Sequence, residues 1–94
     1  MSTLWVVSYD IADDDRRREV AETLENHGVR VQYSVFECRL AAAEVPPLRE
    51  GLKRLIDPAE DSIRWYPLCA WCEARVSCQG GGQPPAPDTG YVLV

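Results

Sequence analysis

The sequence predicts an α+β fold, a ferredoxin-like βαββαβ sandwich with an extra C-terminal strand. Three observations carry this expectation. Apolar, β-prone runs alternate with two segments of helical periodicity in a chain of only 94 residues. Their order is β-α-β(β)-α-β-β, which in so short a chain points to a split βαβ unit. Breaker residues separate them, at Gly28, at Asp57-Pro58 and in the Gly/Pro-rich stretch after Cys78. One face of the sheet would carry both helices. A second copy is the simplest cover for the other face, so a homodimer is expected. A chain this short buries about 60–65% of its unfolded surface, which favours the same outcome.

Each element has a local reason. Leu4-Trp5-Val6-Val7 reads as a buried strand from about Thr3 to Tyr9. Asp13 or Asp14 then caps a helix from Asp14 to His27, with Val20, Ala21 and Leu24 as its apolar stripe and Gly28 as a left-handed stop. Three arginines in its first turns oppose the helix dipole, a local conflict that hints at function. Val29 to Leu40 is rich in β-branched and aromatic residues, and its alternation stumbles at Gln32 to Ser34, so either a bulge or a break between two short strands is expected there. A second helix spans Glu44 to Ile56, with Pro46 and Pro47 in its first turn and Leu48, Leu52, Leu55 and Ile56 at helical spacing. Ser62 to Leu68 is a further strand, and Ala74 to Cys78 a short fifth one. Residues 1–78 therefore form the domain, and 79–94 a Gly/Pro linker ending in Tyr91-Val92-Leu93-Val94. That apolar tetrapeptide is expected to dock onto a sheet edge, the chain's own or a partner's.

Composition narrows the function. A net charge of −5 argues against a domain that coats nucleic acid non-specifically, although a local basic patch remains compatible with it. Nine of the ten cationic residues are arginine, the side chain suited to bidentate phosphate contacts; a GC-rich genome gives the same bias. No stretch approaches a membrane span, and no basic region precedes a long apolar run, so a cytoplasmic protein with reduced thiols is expected.

The first eighteen residues hold the candidate chemistry. Asp10 sits where a strand leaves the core, a place for a carboxylate held rigidly yet open to solvent. A metal-binding acid next to phosphate-binding arginines is a nuclease-like pairing, and Mg²⁺ needs only one or two carboxylates alongside its waters. Spacing alone fits a capping aspartate better. Tyr9 can orient a water or phosphate, or can be a sheet residue with a wet hydroxyl. Arg16 and Arg17 rank ahead of Arg18 as phosphate contacts, because neighbours on a helix diverge by about 100°; Arg18 has Glu22 as an i,i+4 partner. Arg30 can hold phosphate. Phe36 can stack a base or pack in the core, and Ser34 can donate to phosphate or simply make a turn. Cys69-Ala70-Trp71-Cys72 is a CxxC without a second pair at zinc spacing, so a loop with half-buried thiols is expected. His27 is isolated and suits the helix C-terminus.

Three blocks in order resemble one family. Val7-Ser8-Tyr9-Asp10-Ile11 with its Asp/Arg cluster, Arg30 to Cys38, and Asp61 to Cys69 together are similar to the small CRISPR-associated adaptation endonucleases, Cas protein two. The resemblance covers about residues 3 to 78. It implies a ferredoxin-like homodimer in which Asp10 faces its mate across a cleft and binds Mg²⁺ or Mn²⁺. It implies metal-dependent hydrolysis of phosphodiester bonds in RNA or double-stranded DNA. It also implies a bridge between subunits of the CRISPR integrase. A non-catalytic DNA-docking scaffold, and a toxin-like ribonuclease of the same fold outside CRISPR, are the competing readings.

Overall fold

The computed structural model describes residues 2–85. The Tyr91–Val94 docking strand and the end of the linker lie outside the described residues. The elements are β1 (Ser2–Asp10), α1 (Asp14–Glu25), β2 (Gly28–Gln32), β3 (Val35–Ala41), a 3-10 turn (Ala42–Glu44), α2 (Val45–Leu55), β4 (Ser62–Leu68) and a single-turn α3 (Ala70–Glu73). The sheet order is β2-β3-β1-β4, and every pairing is antiparallel.

Both long helices pack on one face. Val20, Ala21 and Leu24 of α1 and Leu48 and Leu52 of α2 meet Val7, Tyr9, Phe36, Cys38 and Leu40 of the sheet in one core. Phe36, Leu24, Leu40, Leu52, Val7 and Val20 are fully buried, worth about 1.5–3 kcal/mol for each of the larger side chains. That burial, rather than helix propensity, holds α1 in place. Asp13 caps α1 by accepting from the Arg16 N–H at 2.9 Å. Leu4, Val6, Ser8 and Asp10 alternate onto the opposite face, where Leu4 with Val29, Val31, Val35, Val76 and Pro84 walls an open hollow of about 830 Å³.

Two expectations are corrected and one open choice is resolved. Ala74 to Cys78 is not a strand. The Arg75 and Val76 N–H groups donate to the Cys72 and Glu73 carbonyls at 3.1 and 3.3 Å, so they continue the turn of α3 instead of joining a ladder. Gly28 is not a left-handed helix stop. The α1 helix closes through Asn26 in the ordinary right-handed region, and the described glycine with positive φ is Gly80. Gly28 is instead the first residue of β2, pressed against Glu37 and Cys38. The stumble at Gln32 to Ser34 is both alternatives at once: a register shift between Arg30 and Gln32, then a hairpin turn at Tyr33-Ser34.

Candidate active site

The end of β1 is tied on both sides. Its last residues pair with β4, Asp10 lying opposite Ser62, and Tyr9 opposite Ile63. On the β3 side the Tyr9 N–H donates to the Ser34 carbonyl at 3.1 Å. Asp10 is thus held by backbone while its side chain stays exposed. Among the described residues its carboxylate has no hydrogen bond or ion pair, so its oxygens are available as ligands.

Because side chains alternate along a strand, Tyr9 and Asp10 leave on opposite faces. Tyr9 turns to the helix side, stacks on Phe36 with ring centroids 6.3 Å apart and donates to the Tyr33 carbonyl at 3.4 Å. Burial pushes its phenol above the ordinary value, against the pull of Arg30 and Arg17. Tyr9 therefore stays protonated at neutral pH as a hydrogen-bond donor. It does not share a face with Asp10 within one chain.

The loop after Asp10 is clamped by a residue the sequence did not single out. The Asp61 side chain is buried. It accepts from Arg16 Nε at 2.8 Å, from the Asp57 N–H at 2.9 Å and from the Ala12 N–H at 3.4 Å. The Arg16 hydrogen bond, then the backbone ones, hold its carboxyl below the usual range. Arg16 also reaches Glu60 at 3.4 Å. Arg16, expected on phosphate, is thus committed to fixing the β1–α1 loop. Arg17 donates to the Ile11 carbonyl at 2.8 Å and pairs with Asp14. Arg18 pairs with Asp15 at 3.0 Å, not with Glu22. No short-range pattern announces Asp61, since its partner Arg16 is 45 positions away.

Phe36 is not a base-stacking surface. It is wholly buried, and the Arg30 guanidinium lies over its ring at 5.2 Å. Its place on β3, opposite Arg30 and Val7, faces the helices. Ser34 is a half-buried turn residue whose carbonyl supports Tyr9. What the fold does bring together on the helix side is Tyr9, Arg17, Arg18, Arg30 and Tyr33, around an open niche of about 350 Å³.

Among the described residues no three His, Cys, Asp or Glu side chains gather as a metal cage. At the end of β1 the exposed Asp10 carboxylate is an oxygen donor of the kind a hard cation takes. Cys69 caps α3, its Sγ accepting from the Cys72 N–H at 3.4 Å. Cys38 is in the core, and burial pushes its thiol up to about 11, so it is inert.

Comparison with known proteins follows the same outline. The family described as CRISPR associated protein Cas2 matches residues 2–76. A CRISPR-associated endoribonuclease Cas2 3 of Synechocystis is 44% identical over 82 residues, 87% of each chain. The hypothetical protein TT1823 of Thermus thermophilus superposes with a TM-score of 0.81 at 40% identity, covering 92% of this chain and 100% of that one. A chain of the partial Cas6-RT-Cas1–Cas2 complex superposes with a TM-score of 0.77 at 25% identity, covering 98% and 99%.

Proposed function

The chain belongs to the CRISPR-associated Cas2 family, and from that premise we propose that two copies pair their Asp10 carboxylates around Mg²⁺, with Mn²⁺ as a substitute, to hydrolyse phosphodiester bonds of RNA or double-stranded DNA during spacer acquisition. The single observation that carries this reading is Asp10 itself: a backbone-fixed, solvent-open carboxylate with no internal partner at the end of a central strand. A bound Mg²⁺ lowers the pKa of a coordinated water and neutralises charge on the phosphate. The chain's own part is to hold the carboxylate still. The β1 ladder does so on two sides, and the Asp61–Arg16 clamp fixes the loop that follows.

The face opposite α1 and α2 supports the dimer. Leu4 and Val6 of β1, Val29 and Val35 of the hairpin, and Tyr66 and Leu68 of β4 share it, and Val29 is 67% and Tyr66 44% exposed. A second copy laid on this face covers those side chains and brings a second Asp10 toward the first. Among the described residues no helix is long and apolar enough to cross a membrane, and we place the protein in the cytoplasm, where CRISPR DNA and transcripts are.

The test is cleavage of RNA and of duplex DNA with Mg²⁺, wild type against Asp10→Ala. Activity is lost, and the unfolding free energy stays within about 0.5 kcal/mol of wild type, because an exposed side chain with no partner among the described residues contributes little to stability. Cleavage that survives Asp10→Ala refutes the paired-carboxylate mechanism. A second reading, a non-catalytic scaffold bridging integrase subunits, is favoured by the likeness to a chain of a Cas1–Cas2 complex and by the net charge of −5, which suits a protein that borrows basic surface. It predicts no cleavage by wild type and salt-sensitive binding only to integrase-bound DNA.

A further inference from the structure

Tyr33 stands at the tip of the β2–β3 hairpin with 71% of its surface exposed. A lone exposed tyrosine needs no explanation. This one is not alone. Its carbonyl is held by the buried Tyr9 hydroxyl at 3.4 Å, which fixes the turn that presents its ring. It shares the 350 Å³ niche with the Arg17 and Arg30 guanidiniums. Arg17 is anchored from behind by the Ile11 carbonyl at 2.8 Å, and Arg30 by its seat over the Phe36 ring.

The charge balance of the niche selects its ligand. Arg17, Arg18 and Arg30 face Asp14, Glu22 and Glu25 around the same rim. Three cations against three carboxylates do not make a phosphate trap. A ligand that gains from this niche needs an aromatic face for Tyr33 as well as an anion for one guanidinium. An unpaired nucleotide has both, since every base offers a π-face whatever its identity. A base inside a duplex has its faces already stacked.

We propose that Tyr33 is a stacking platform for an unpaired nucleobase, with Arg30 steering the adjoining phosphate. This is one of the two roles open to Phe36 from sequence, moved three residues along to a side chain that is outside the core. The proposal rests on the reading of the chain as a protein that acts on polynucleotides. Tyr9, which lines the niche, immediately precedes Asp10 in β1.

The experiment measures binding of a short single-stranded oligoribonucleotide carrying one 2-aminopurine, in the presence of EDTA so that no cleavage occurs. Tyr33→Ala weakens binding about tenfold and removes the fluorescence quenching that stacking produces. Tyr33→Phe and Tyr33→Trp retain both. Affinity for a blunt duplex of the same sequence changes less than twofold. All three variants melt like wild type, because the ring is exposed. Unchanged affinity and quenching in Tyr33→Ala overturn the proposal, and so does an equal loss for single strand and duplex. Asp10→Ala, run in parallel, binds and quenches normally. Cleavage that survives Asp10→Ala removes the paired-carboxylate mechanism and leaves the platform standing, so the two failures are distinct.

Discussion

Gly28 offers the sharpest test of the fold, because two different roles predict opposite rankings of the same substitutions. A Cβ built on Gly28 falls 2.7 Å from Cys38 Sγ and 2.8 Å from Cys38 Cα, and closer still to the Glu37 carbonyl oxygen. Carbon contacts normally settle near 3.5–4.0 Å. Two of the three obstacles are β3 backbone, and Gly28 pairs directly with Cys38 in the ladder. The strand cannot retreat without losing hydrogen bonds. Overpacking costs about 1–3 kcal/mol where side chains can yield; here backbone must yield, so Gly28→Ala is expected near the top, about 3 kcal/mol. For a domain of this size that lowers the melting midpoint by about 12–24 °C. Gly28→Asn is worse, since a larger group enters the same space. Gly51 is the internal control. It lies on the exposed side of α2 with nothing within 4 Å of its Cβ position, so Gly51→Ala stabilises by about 1 kcal/mol. Urea and thermal melts of the three variants at equal protein concentration decide the matter. If Gly28→Asn were tolerated better than Gly28→Ala, the left-handed stop would be the right account and the close-approach account would be wrong.

Two further outcomes separate structure from function. Phe36→Ala loses about 3–5 kcal/mol in urea melts, as a fully buried aromatic should, whereas Phe36→Leu stays folded and binds single-stranded RNA like wild type; lost binding in a Phe36→Leu protein of native stability would return that ring to the nucleic-acid surface. Asp61→Asn keeps the side chain's shape and one acceptor oxygen but removes the charge held by Arg16. Because the folded carboxyl is depressed first by the Arg16 hydrogen bond, its contribution is present above the unfolded carboxylate value of about 3.9 and is lost as pH falls through its own lower value. The stability gap between wild type and Asp61→Asn is therefore constant at neutral pH and closes under acid. A gap that persists unchanged in acid contradicts the clamp.

Much of the site was legible because it depends on local rules. A buried strand ending in a carboxylate, a helix capped at Asp13, and an alternation that stumbles at Gln32 to Ser34 are short-range patterns, and each appears at its predicted place. The failures share a cause. Arg16 looked free because Asp61, which holds it, is distant in the chain. Phe36 looked available because strand alternation tells which residues share a face, not which face the helices cover. The predicted strand at Ala74 to Cys78 failed because propensity does not supply a neighbouring edge.

The sequence alone determined the order of elements from β1 to β4, the position of Asp10 at a strand end and the family to which the chain belongs, since periodicity and short motifs are written in adjacent residues. Tertiary structure decided which arginines are already paired and which aromatic ring is outside the core. Those outcomes depend on which sheet face α1 and α2 cover and on contacts between residues far apart in the chain, and no local pattern encodes them.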